Sequence, residues 1–123
     1  MRLLLVEDDP LLGDGIKEGL IDAGFVVDWL TDGESAQRAL LTEKTFDAVL
    51  LDIGLPGLDG FEVAKRMRRQ PPAQKAVLVA MTGNGKESDR QRSQEAGFNH
   101  YLVKPAKFET VQEILASVSE RAT

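Results

Sequence analysis

Short apolar runs alternate along this chain with longer stretches in which apolar residues recur every three or four positions. The runs are Leu3–Val6, Phe25–Trp29, Ala48–Leu51, Ala76–Met81 and His100–Val103. Such short, mainly apolar runs predict strands of a sheet covered on both faces, and their alternation with helices predicts an α/β fold: a doubly wound, five-stranded parallel sheet. Asp9 and Pro10 make a helix start, after which Leu12, Ile16 and Leu20 repeat at four-residue spacing until Gly24 stops the helix. A second helix fits Gly33–Lys44, with Ala36, Ala39 and Leu40 on its inner face. A third runs from Gly60 to Arg69 and ends at Gln70 and the Pro71–Pro72 break. The last, Phe108–Glu120, carries Phe108, Val111, Ile114, Leu115 and Val118 on one stripe.

The fourth helical stretch, Lys86–Ala96, is different, because Ala96 is its only apolar residue. Little burial anchors it, which marks it as an element able to shift. A solvated helix face laced by charge pairs four residues apart fits the same residues.

Length and composition narrow the class. At 123 residues the chain reads as one domain, 1–123, with no repeat or linker inside it. Cysteine is absent, which excludes disulfides, thiolate metal sites and a cysteine nucleophile. The apolar opening meets Glu7, Asp8 and Asp9 before a secretory core could form, and no run approaches the roughly 20 residues of a membrane span. A soluble, cytoplasmic protein without a membrane partner is the expectation. The net charge of −5 divides unevenly: residues 1–62 hold 14 acids against 4 bases, and residues 63–123 hold 6 acids against 11 bases. That split suggests a basic nucleic-acid-binding half, but the chain is too short for two independent domains. The basic run Lys65, Arg66, Arg68 and Arg69 lacks interleaved aromatics and reads as a solvated helix face, so no direct nucleic-acid binding is expected of this domain. His100, the single histidine, and Trp29 read as structural residues.

In an open parallel sheet, ligands bind beyond the carboxyl ends of the strands. Glu7, Asp8 and Asp9 follow the first run, Asp52 the third, Thr82 and Gly83 the fourth, and Lys104 and Pro105 the fifth. Asp9 fits a helix cap, as acids at strand ends often do. Several carboxylates on one rim need a divalent cation or a lysine nearby, and an all-oxygen ligand set suits Mg²⁺ or a similar hard ion such as Mn²⁺. Gly83 leaves room for a group approaching Thr82, or serves a plain turn.

Taken together, these residues resemble the receiver domain of two-component response regulators. Leu4-Leu5-Val6-Glu7-Asp8-Asp9 is similar to that family's acidic motif. The segment from Val49 through Asp52 to Gly60 resembles its phosphoacceptor strand and following loop. Thr82-Gly83 falls at its hydroxyl position, and Tyr101-Leu102-Val103-Lys104-Pro105 resembles its lysine motif. The resemblance implies a flavodoxin-like (βα)5 fold with strand order 2-1-3-4-5. Asp52 would accept a phosphoryl group from a sensor histidine kinase or phosphotransfer domain. Asp8, Asp52 and the backbone carbonyl of Gly54 would hold Mg²⁺, with Glu7 acting through metal-bound water. Lys104 would pair with the phosphoryl oxygens, Thr82 would hydrogen-bond the aspartyl phosphate, and Tyr101 would change rotamer. The Lys104–Pro105 bond would be cis. The surface of the fourth and fifth helices and the fifth strand would then select an output domain or effector not in this chain, or a phosphorylation-dependent homodimer. Because Gly54 has no side chain, Asn84 would govern the lifetime of the phosphate.

The first half resembles receivers of winged-helix transcription factors. Met81–Lys104 is more similar to receivers of hybrid kinases, the pattern a recombined chain would give. The competing class is a small Mg²⁺-dependent phosphatase or phosphotransferase of the haloacid-dehalogenase type, which places a second acid two residues after the first, where this chain has Gly54. A flavodoxin-like binding module is a third reading, disfavoured because an acid-lined rim repels phosphate without a metal.

Overall fold

The computed structural model describes residues 2–40, 46–54, 60–69, 76–83, 87–104 and 108–122. Strands β1 (Arg2–Val6), β2 (Val26–Leu30), β3 (Ala48–Asp52), β4 (Val77–Thr82) and β5 (His100–Val103) form one parallel sheet in the order β2-β1-β3-β4-β5. Helices α1 (Pro10–Asp22), α2 (Gly33–Leu40), α3 (Gly60–Arg68), α4 (Glu87–Ala96) and α5 (Phe108–Ala122) connect and follow the strands. This is the doubly wound sheet expected of the apolar runs, in the flavodoxin-like strand order that the resemblance implies.

The core lies in two layers, because strand side chains alternate between faces. Leu4, Val6, Val49 and Leu51 pack on one face with Phe61, Ala64 and Met67 of α3. Leu3, Leu5, Leu50 and Val79 pack on the other with Ile16 and Leu20 of α1 and Val111 and Leu115 of α5. Every residue of β3 and β4 is buried, whereas the edge strands β2 and β5 are partly exposed.

Boundaries shift by a residue or two where backbone bonds decide them. The second strand starts at Val26 rather than Phe25, because the Phe25 N–H donates to Leu20 O at 3.1 Å and closes the end of α1. Gly24, at φ +95°, makes that reversal. Asp9 caps α1 as expected, accepting from the N–H groups of Leu11 at 2.9 Å and Leu12 at 3.3 Å. The continuation of the second helix to Lys44 and the Pro71–Pro72 break lie outside the described residues.

Arg68 corrects the reading of a solvated basic face. Lys65, Arg66 and Arg69 are exposed, but the Arg68 guanidinium turns inward. It donates to Gly97 O at 2.7 and 3.0 Å, Ala76 O at 2.8 Å and Asn99 Oδ1 at 2.8 Å. Asn99 Oδ1 also accepts from Leu78 N–H at 2.9 Å, so one cluster ties α3 to the turn after α4 and to the start of β4. Gly97 closes that turn at φ +102°, and a Cβ there would stand 2.9 Å from Arg68 Cγ. Arg68→Met strips these carbonyls of their donor and should lower stability by about 2–4 kcal/mol, read as a fall in urea midpoint at unchanged m-value. A loss below about 0.5 kcal/mol would show that water replaces the guanidinium.

The fourth helix has more anchorage than its composition suggests. Ser93 and Ala96 are buried, Arg92 stacks over the Phe61 ring at 4.1 Å, and Arg90 lies over Tyr101 at 5.4 Å.

Candidate functional site

Sheet register builds the site. Val6 pairs with Leu51, so Glu7 and Asp52, each one residue further on, emerge side by side between β1 and β3. Thr82 pairs with Val103, and the Lys104 N–H donates to Thr82 O at 2.7 Å, which carries Lys104 to the same rim. Lys104 Nζ lies 2.7 Å from Asp52 Oδ2 and donates to Glu7 Oε2 at 3.0 Å. It also touches Glu7 Oε1 at 2.6 Å as an ion-pair contact without hydrogen-bond alignment. Asp52 Oδ1 accepts from the Gly54 N–H at 2.8 Å, and Glu7 Oε2 accepts from the Asp8 N–H at 3.0 Å.

Two carboxylates thus share one ammonium in a site where Glu7 is wholly buried and Asp52 nearly so. Burial, with a hydrogen bond to Asp52, pushes the Glu7 carboxyl up to about 7. Burial works to raise Asp52 too, but its hydrogen bonds with Glu7, Lys104 and the Gly54 N–H prevail and hold it below the usual carboxylate range. Burial works to lower Lys104, but its hydrogen bonds to both carboxylates prevail and raise it. Below about pH 7 the pair therefore holds its proton on Glu7 and its charge on Asp52.

Carboxylate oxygens of Glu7, Asp8 and Asp52 come within 4.8 Å of one another. Two are buried acids with one lysine between them, Glu7 Oε1 accepts no hydrogen bond, and all donors are hard oxygens. This donor set fits Mg²⁺.

The other expected residues fall nearby in different roles. Thr82 is buried at the end of β4, and Tyr101 is half-buried against the layer containing Phe61. Gly83 is exposed, with no described atom within 4 Å of where a Cβ would stand. Asn84 and Pro105, including the Lys104–Pro105 bond, lie outside the described residues. Trp29 is a feature that composition did not reveal: its indole N–H donates to the backbone carbonyl of Glu7 at 3.0 Å. The only hint in the sequence is its place near the end of an edge strand beside the acidic segment.

Comparison with known proteins agrees with this geometry. The family model for the response regulator receiver domain matches residues 3–116. The chain belongs to the response regulator receiver domain family. This receiver domain is 40% identical over 123 residues to the response regulator protein PmrA of Pseudomonas aeruginosa, and 39% identical over 121 residues to the transcriptional regulatory protein QseB of Haemophilus influenzae. These alignments cover 100% and 98% of the chain but 54% and 53% of those proteins, so the chain spans about half the length of the curated relatives it matches. It is also similar to the crystal structure of the receiver domain of sensor histidine kinase PA1611 from P. aeruginosa, which has a magnesium ion coordinated in its active-site cleft. That match has a TM-score of 0.85 and 36% identity, and covers 93% of each chain. Likeness to a response regulator and to a kinase receiver each covers nearly the whole receiver domain. Membership disfavours the dehalogenase-type reading. Among the described residues, no helix is long and apolar enough to cross a membrane.

Proposed function

We propose that residues 1–123 form one cytoplasmic receiver domain that takes a phosphoryl group on Asp52 from a phosphohistidine of a sensor kinase or phosphotransfer domain. The observation that carries this reading is the Asp52 carboxylate, buried and charged, held between Lys104 Nζ at 2.7 Å and the Gly54 N–H at 2.8 Å. An Asp52 oxygen attacks phosphorus, the P–N bond breaks, and the imidazole nitrogen leaves with the bond's electron pair. Asp8, Asp52 and the Gly54 carbonyl would hold Mg²⁺, or Mn²⁺ in its place, with Glu7 acting through metal-bound water. Bound there, the ion would supply neutralisation of charge on the transferring group. Lys104 moves from Asp52 Oδ2 to a phosphoryl oxygen, because both carboxylate oxygens are engaged before transfer. Thr82 bonds the phosphoryl group, Tyr101 follows, and the surface of α4, β5 and α5 biases an output domain, an effector or a second copy. Asn84 tunes the lifetime of the phosphate, and hydrolysis resets the switch.

Incubation with acetyl phosphate and Mg²⁺ followed by intact mass measurement tests this. One phosphoryl group should appear, and Asp52→Asn should not acquire it. An adduct persisting in Asp52→Asn, or multiple turnover of a small phosphomonoester, would overturn the reading.

A further inference from the structure

The backbone on either side of the Glu7 Cα is tethered to the end of β2. The Glu7 N–H donates to Leu30 O at 3.0 Å, and the Glu7 carbonyl accepts from Trp29 Nε1 at 3.0 Å. The second bond fixes the plane of the peptide from which Asp8 hangs, and so the direction in which its carboxylate leaves the backbone. Asp8 itself is exposed, and its own N–H donates to Glu7 Oε2 at 3.0 Å. Space for the indole is made by Gly13 on α1, where a Cβ would stand 2.2 Å from Cζ2 and 2.9 Å from Nε1 of Trp29. An alanine could fit there only if the ring moved off the Glu7 carbonyl. A plain core tryptophan needs neither a helix glycine beneath its ring nor a backbone acceptor in the acidic segment.

We propose that Trp29 is a positioning residue for the cation site: through its N–H it holds the Glu7–Asp8 peptide in the orientation that lets Asp8 join Asp52 around a divalent cation. This rests on the reading of Glu7, Asp8 and Asp52 as a Mg²⁺ site. Trp29→Phe keeps a ring in the same place but removes the donor. Titration of MgCl₂ into the protein by calorimetry should show a dissociation constant about 3- to 10-fold weaker than in the native chain, the size of one net hydrogen bond. Val27→Ala, on the same strand and packed in the same layer, should lower the urea midpoint while leaving that constant unchanged.

Trp29 is the sole tryptophan, so its indole N–H gives a single resonance in the native protein. That resonance should shift with MgCl₂ and saturate at the concentration calorimetry gives, a result that stands even if Trp29→Phe does not fold. Equal Mg²⁺ affinity in native protein and folded Trp29→Phe, or an indole resonance unmoved through saturation, overturns the role of Trp29 and leaves the cation site standing. Absence of Mg²⁺ binding by the native protein overturns both.

Discussion

Lys104→Met should lose about 3 kcal/mol of stability at pH 8 in the presence of a chelator, and most of that loss should vanish at pH 5. Lys104 is the cation in contact with both Glu7 and Asp52, at 2.6 and 2.7 Å, and methionine keeps its length and apolar stem while removing the charge. At pH 8 the variant must either bury two carboxylates with oxygens within 4.8 Å of one another and no counter-charge, at roughly 20-fold lower dielectric than water in the limiting case, or take up a proton from a solution poor in protons. At pH 5 Glu7 is already protonated, since its carboxyl is pushed up to about 7, so one charge fewer needs compensation. Added Mg²⁺ should restore part of the loss at pH 8 by replacing the ammonium with a cation between the same oxygens. Phosphorylation by acetyl phosphate should slow by about 100-fold, the usual effect of removing one fixed positive donor from the transferring group. Urea melts at the two pH values decide the matter: equal losses at both would mean that the lysine stem, rather than its charge, holds the site.

Glu7, Asp52 and Lys104 were legible in the sequence because each directly follows an apolar run, and a parallel sheet gathers such positions on one rim. The central strands were equally legible, since β3 and β4 are buried on both faces and carry apolar residues almost without interruption. Arg68 was misread for a physical reason: its partners Gly97 O and Ala76 O are backbone carbonyls, which every residue has, so no side-chain pattern distinguishes it from Lys65 or Arg69. Trp29 was hidden in the same way, its partner being the Glu7 carbonyl. The anchorage of α4 escaped the hydrophobic pattern because arginine side chains over Phe61 and Tyr101 supply contacts that periodicity counts as polar. The strand ends also named the acids without ranking them. Which carboxyl keeps the proton follows from burial and hydrogen bonds: burial raises Glu7, whose Oε1 accepts no hydrogen bond, whereas the hydrogen bonds of Asp52, with the Gly54 N–H among them, prevail over its burial.

That ranking gives the second large effect. With divalent cations removed, the native protein should become less stable as pH rises from about 4.5 to about 7, by on the order of 2 kcal/mol. Glu7 ionises near 4.5 in the unfolded chain and near 7 in the folded one, so the folded state binds the extra proton in this window. Its contribution is therefore complete below the unfolded value and disappears as pH passes the folded one. The two partners do not oppose this slope. Asp52 is depressed below 3.8, so its contribution is already complete at the start of the window and is lost only in stronger acid. Lys104 is raised above 10.5, and its contribution persists until far more alkaline pH. Measured as the difference between native protein and Glu7→Gln, which cancels the remaining titrating groups, the slope should be negative and should flatten in the variant. Mg²⁺ should act with the opposite sign, because a cation and a proton compete for the same oxygens: its stabilising effect should grow with pH and be greatest above 7. A difference curve that is flat or rises across the window would mean that Glu7 is ionised throughout, and that Lys104 alone balances both carboxylates.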